Sequence, residues 1–189
     1  MKYKMNENRI YPKFNIEKAT ESTVFLLMRH NGSMDKMKLI KLLYLSDRRA
    51  LQEWEQPITF DIYYSMRQGQ VLSGVLDLIN NITSNQIWQK YIKNLNKIVI
   101  ALRDEEPLKF RKLSRAEVLL LEEIDKEYGK MTGRELGKIT KNFPEYKPTD
   151  SRERTFLEDI LNAIYDEEDA ARIEQQLEEK AFLELALER

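Results

Sequence analysis

Few side chains in this chain are of a type and spacing that could do chemistry. His30 is the one histidine among 189 residues, and there is no cysteine. Thiol catalysis, zinc-thiolate sites, disulfide frameworks and any centre needing two imidazoles, HExxH included, are therefore excluded. His30 could serve as a lone general base. Its place in the last turn of a predicted helix gives a simpler role, because a cation there is favoured by the helix dipole. Gly69-Gln70-Val71-Leu72-Ser73-Gly74 has the GxxxxG spacing of a phosphate loop. Such a loop needs Lys to reach the phosphates and Ser or Thr to hold Mg²⁺, and here Val75 and Leu76 follow. Glu145-Tyr146-Lys147 has the E-x-K form in which a carboxylate holds Mg²⁺ and a lysine positions water. That element belongs on a strand, and here it lies between Pro144 and Pro148, so a solvated loop with Tyr146 packed down is expected. No catalytic residue, metal ligand or cofactor is expected, and the chain does not read as an enzyme.

Two further patterns concern partners rather than reactions. Helices predicted over 114–128 and 132–140 resemble the first two helices of a helix-turn-helix. The third helix should follow within a few residues, but Asn142-Phe143-Pro144-Glu145-Tyr146-Lys147-Pro148 intervenes. An ordinary helical hairpin explains the pair better, and nucleic acid is not the expected partner. Charge is uneven. Residues 1–112 carry a net +7, residues 113–165 a net −2 and residues 166–189 a net −6. The acidic tail places Ala170, Ile173, Leu177, Ala181 and Leu185 at helical spacing. That stripe either covers the protein's own core or docks on a partner, a second copy included. In the docking case its acid excess steers toward a basic surface.

These residues must be positioned by a mostly helical framework. Asn15 is a good N-cap, and the helix after it stops at His30-Asn31-Gly32. A second helix, from Ser33 or Asp35 to near Pro57, carries Leu39, Ile40, Leu42, Leu43, Tyr44 and Leu45. Being apolar over so much of its circumference, it is expected to be central and buried. From Ile58 to Met66 the period becomes two, the mark of a strand with one buried face. Gly69 ends it, and Val71 to Ile79 return to helical spacing. A short helix is expected over Ser84–Ile92, a strand over Lys97–Arg103, a turn at Asp104–Pro107 and a hairpin partner over Leu108–Arg111. Ser114/Glu117 and Thr132/Glu135 are capping boxes that open two helices. Residues 142–150 read as loop, Arg152–Tyr165 as helix, and Asp166 opens a last helix. The expected fold is mainly α (α+β), a helical domain over 1–165 with one two- or three-stranded antiparallel sheet. An acidic amphipathic helix over 166–189 completes it. At 42% hydrophobic and 33% charged residues the chain has material for a core of its own. Its longest strongly apolar runs, such as Val24–Met28, are far short of a membrane span or a signal-peptide core. A cytoplasmic protein is expected.

The ordered segments resemble a known family. Met34-Asp35-Lys36-Met37-Lys38-Leu39-Ile40-Lys41-Leu42-Leu43-Tyr44-Leu45-Ser46-Asp47-Arg48, then Gln56-Pro57-Ile58-Thr59-Phe60-Asp61, then Tyr64-Ser65-Met66-Arg67-Gln68-Gly69-Gln70-Val71-Leu72-Ser73 and Asp77-Leu78-Ile79 are similar to the Panacea, or SocA-like antitoxin, domain. Leu113–Glu117, Tyr128-Gly129, Glu135-Leu136, Phe143–Tyr146 and Glu158–Leu161 fit its second half, and the resemblance covers roughly 17–175. Three residues depart from the family pattern: Gln70 stands for Pro, Lys141 for His and Tyr146 for Trp. The resemblance implies an antitoxin that neutralises a cognate toxin by protein–protein contact, in some members as an adaptor to a ClpXP protease, and often encoded in prophages. Polar residues at the strand–helix junction are the first candidates for partner contact: Arg67, Gln68, Gln70 and Ser73. Asp47 and Arg48 are second choices. For each of the six the alternative is a buried structural hydrogen bond. A phage or prophage regulator of another host protein and a DNA-binding autorepressor are the alternative functions.

Overall fold

A computed structural model describes residues 9–103 and 110–187. The first helix, α1 (Ile16–Arg29), starts where the Asn15 side chain accepts from the Lys18 N–H. It ends where Gly32, at φ +81°, turns its N–H back to the Leu27 carbonyl, the left-handed stop that glycine adopts without cost. Ser33–Asp35 forms a short strand, β1, and Asp35 then caps α2 (Lys36–Trp54) by accepting from the Lys38 N–H. As its wide apolar surface predicts, α2 is the centre of the molecule. Leu39, Leu42, Leu43 and Tyr44 are fully buried, and α1, α5 (Arg115–Tyr128), α6 (Gly133–Lys141) and α7 (Leu157–Ile164) pack around it.

The sheets differ from expectation. There are two, each three-stranded and antiparallel, rather than one. The first is built from β1, β5 (Val99–Leu102) and β4 (Ile92–Asn94), with β5 in the middle. The turn expected at 104–107 and the first half of its hairpin partner, 108–109, lie outside the described residues, and Phe110 and Arg111 are not in a strand. The second sheet has β2 (Tyr63–Met66) between β3 (Gly69–Leu72) and β6 (Arg152–Thr155).

Three expectations are corrected here. The strand predicted from Ile58 begins only at Tyr63, because Ile58 and Thr59 donate their N–H groups to Asp47 instead of to a neighbouring strand. Val71 and Leu72 are strand, not helix, and α3 runs Ser73–Ile79. Arg152–Thr155 pairs with β2 where a helix was expected, and α7 begins only after it. The short helix α4 (Gln86–Tyr91), α5 and α6 agree with expectation, and both predicted capping boxes are formed.

The last helix, α8 (Glu167–Leu187), lays Ala170, Ile173, Leu177 and Ala181 against the protein's own core. It is tied down by Tyr11 and Arg9 on Glu174 and by Arg172 on Glu55. Beyond Ala181, Phe182, Leu183 and Leu187 are exposed. No helix among the described residues is long and apolar enough to cross a membrane.

Candidate functional site

The second sheet and the helices beneath it bring the sequence-predicted contact residues to one region, at very different depths. Arg67 and Gln68 form the two-residue turn between β2 and β3 and are exposed. The other four are inward. Asp47 is fully buried, and its carboxylate accepts from the Ile58 and Thr59 N–H groups at 3.0 Å, from the Thr59 hydroxyl and from the Tyr63 hydroxyl. It pins the segment before β2 onto α2. Burial pushes its carboxyl up to about 7, against the opposing pull of those hydrogen bonds. Asp61 performs a similar task one step on, accepting from the N–H groups of Ile62, Gly74 and Val75 and so capping α3.

Gln70 joins three parts of the chain. Its backbone N–H donates to the Thr140 hydroxyl, its side-chain N–H to the Glu145 carbonyl, and its side-chain oxygen accepts from the Thr155 hydroxyl. A proline at this position would have no N–H for Thr140. Ser73 accepts from Arg152, whose guanidinium lies 3.9 Å from the centre of the Tyr64 ring. Arg48 donates to Glu145 at 2.7 Å and stacks on Phe143 at 4.0 Å.

Glu145 is the residue whose role sequence reasoning missed. Its side chain has no solvent exposure and accepts from both Arg48 and the buried Tyr44 hydroxyl. The neighbouring Lys147 pairs with Asp159 at 2.8 Å. The E-x-K pair is thus divided between two ion pairs that hold the 142–150 loop under the sheet. Tyr146 from the same loop donates to the Met66 carbonyl. Among the described residues no group of three acidic or histidine side chains is placed to hold a metal. His30, at the end of α1, shares Asp125 with Arg29 at 2.6 Å on each side.

Two close glycine contacts set the height of the Arg67–Gln68 turn. Gly69 has φ +96° and lies against Gly137 and Thr140 of α6. A Cβ on Gly137 would lie 2.7 Å from the Gln68 carbonyl oxygen. The turn therefore rests directly on the α6 backbone. A cleft of about 540 Å³ opens between the turn and α6, lined by Met37, Arg67, Gln68, Arg134, Gly137, Lys138 and Lys141. On the other side of the turn a groove of about 390 Å³ has Ile40, Val71, Leu76 and Ile79 among its lining.

Beneath the turn lies Lys41, 1% exposed, donating to the Gln70 carbonyl at 2.5 Å. Burial, with the Lys141 charge adding to it, pushes its ammonium down to about 7. An unfolded chain keeps that proton up to about pH 10.5, whereas the native protein releases it near pH 7. Between those values the unfolded state binds more protons, so stability rises with pH. Urea unfolding at pH 7 and pH 9 should show this gain in the wild type and lose most of it in Lys41→Met. Equal pH dependence in the two proteins would show that Lys41 is not the group responsible.

The family model described as antitoxin SocA-like, Panacea domain, matches residues 39–147. The matched span runs from α2 through both sheets' central strands and α6 to the Glu145 loop, so it contains the turn and most of its supports. Searches of curated proteins and of solved structures return no match.

Proposed function

The chain belongs to the SocA-like antitoxin family of the Panacea domain, and from that membership we propose that it neutralises a cognate toxin by direct protein–protein binding. The observation that carries the reading is the family match over more than half of the chain. The geometry is compatible with it. The polar groups beneath the β2–β3 turn are consumed in holding the backbone, which leaves a rigid exposed turn between two recesses, a form suited to docking. Delivery of the toxin to a ClpXP protease and pairing of two copies through residues 166–189 are finer versions of the same reading. The exposed apolar tip of α8 supports the second of these.

Co-expression tests the proposal. The chain is induced together with each candidate toxin encoded next to its gene, and growth is followed. Rescue by one candidate, with a stoichiometric complex of the two proteins on gel filtration, is the expected result. Continued arrest with every candidate would count against an antitoxin. Salt-dependent binding to its own promoter would then favour an autorepressor, since phosphate contacts release counterions.

A further inference from the structure

Four cations that the fold leaves without an ion pair share one cleft. Arg9, Lys18, Arg29, Arg48, Arg49, Lys112, Lys126, Lys147 and Arg172 all have carboxylate partners. Arg67, Arg134, Lys138 and Lys141 make no ion pair among the described residues, yet all four line the cleft beside the β2–β3 turn, which has no acidic lining residue. Arg134, Lys138 and Lys141 recur at the spacing that puts them on one face of α6. The nearest acid on that helix, Glu135, caps Thr132 at the helix start and offsets part of the Lys138 charge one turn on, while Arg67, Arg134 and Lys141 have no carboxylate beside them in the cleft.

The second recess differs in kind. Its floor is apolar, formed by Ile40, Val71 and Ile79 with the partly exposed Leu76, and Lys36 and Lys97 stand at its edge against one acid, Asp150. Met37, Arg67 and Gln68 line both recesses, so the two form one continuous surface, basic on one side of the turn and apolar on the other. The buried Lys41 amine below donates to the Gln70 carbonyl and so fixes the strand at the base of this surface. The protein's own acidic helix does not reach this surface, being engaged with Arg9, Tyr11 and Glu55.

Resting on the antitoxin reading, we propose that this surface is the toxin-binding site and receives an acidic, amphipathic segment of the toxin. Carboxylates of the segment meet Arg67, Arg134, Lys138 and Lys141, and its apolar side chains enter the groove beyond the turn. Cations alone would suit a nucleic-acid backbone equally well. The adjoining apolar floor is what favours a peptide, because it removes hydrocarbon surface from water on binding. The local charge of that segment is what matters, whatever the net charge of the toxin.

The test uses the full chain and a fluorescein-labelled amphipathic helical peptide of Glu and Leu. A Lys and Leu peptide of the same pattern and a 20-base-pair DNA duplex serve as comparisons. Binding is read by anisotropy for the wild type, for Arg67→Glu/Lys138→Glu, and for Lys126→Glu, a charge reversal on α5 that lines neither recess. Equal urea midpoints establish that all three are folded. The wild type should bind the acidic peptide and not the basic one, and the double variant should lose at least about tenfold in affinity, with Lys126→Glu unchanged. No binding by the wild type, equal binding by the double variant, or tighter binding of the duplex than of the peptide would overturn the proposal. The same variants are then co-expressed with the toxin. A toxin still neutralised by the double variant sinks this site and leaves the antitoxin reading standing. Peptide binding with the expected loss, but no toxin rescued by the wild type, sinks the antitoxin reading and leaves the acidic-peptide surface.

Discussion

Gly69→Ala should cost upwards of ~3 kcal/mol of stability, a loss in the range reserved for severe packing and backbone violations. Two effects combine. At φ +96° any L side chain is strained, which alone costs roughly 1–2 kcal/mol. The new methyl would also overlap the Thr140 hydroxyl outright and lie 2.8 Å from the Gly137 carbonyl oxygen. That oxygen belongs to helix backbone and cannot swing aside as a side chain does. Gly32→Ala is the natural comparison, since Gly32 has φ +81° but nothing within 4 Å of an added Cβ. Urea unfolding of the two variants separates strain from overlap. Gly69→Ala should lose clearly more than Gly32→Ala. Equal losses would mean that the β2–β3 turn does not rest on α6.

Glu145→Ala should be about as damaging, at about 3–5 kcal/mol, because it strands a guanidinium that is largely out of water. The Arg48 side chain is 13% exposed and the Glu145 side chain 0%. The Tyr44 hydroxyl, also buried, loses its acceptor in the same change. The penalty comes from what is left behind rather than from the lost attraction, so removing all the polar partners should recover most of it. Tyr44→Phe/Arg48→Met/Glu145→Leu should therefore unfold at a higher urea concentration than Glu145→Ala. A cost below about 1 kcal/mol for the single variant would place the pair in the solvent-screened class instead.

What could be read from the sequence was local. Asn15, Ser114 with Glu117 and Thr132 with Glu135 satisfy helix ends within three residues of themselves, so their roles are written in short stretches of chain. The wide apolar surface of α2 likewise identified the core. The strands were harder for a definite reason. Val71-Leu72 and Arg152–Thr155 are four residues or fewer, too short to display a period, and their strand character comes from pairing with β2. The long-range partner decides the candidate site as well. Asp47 and Arg48 sit at a polar turn of a helix and look solvent-facing in sequence. The first is buried by the segment at 58–63 and the second by Glu145, about a hundred residues away. Only Arg67 and Gln68, in a turn too short to be covered, remain exposed among the six residues singled out.

The sheet that carries this turn also has a history in time. The Ser65–Thr155 hydrogen bond spans 90 residues of chain, and closing so long a loop precedes any reward from the contact. On a ribosome adding 5–20 residues per second, β2 and β3 emerge on the order of ten seconds before β6 exists to pair with them. The Glu145 loop that braces the turn also arrives near the end of that interval. The braced turn is consequently complete only once residue 155 has been made. A ribosome that stalls anywhere before residue 155 leaves a hairpin without its third strand, so conditions that interrupt translation yield chains in which this turn is unbraced.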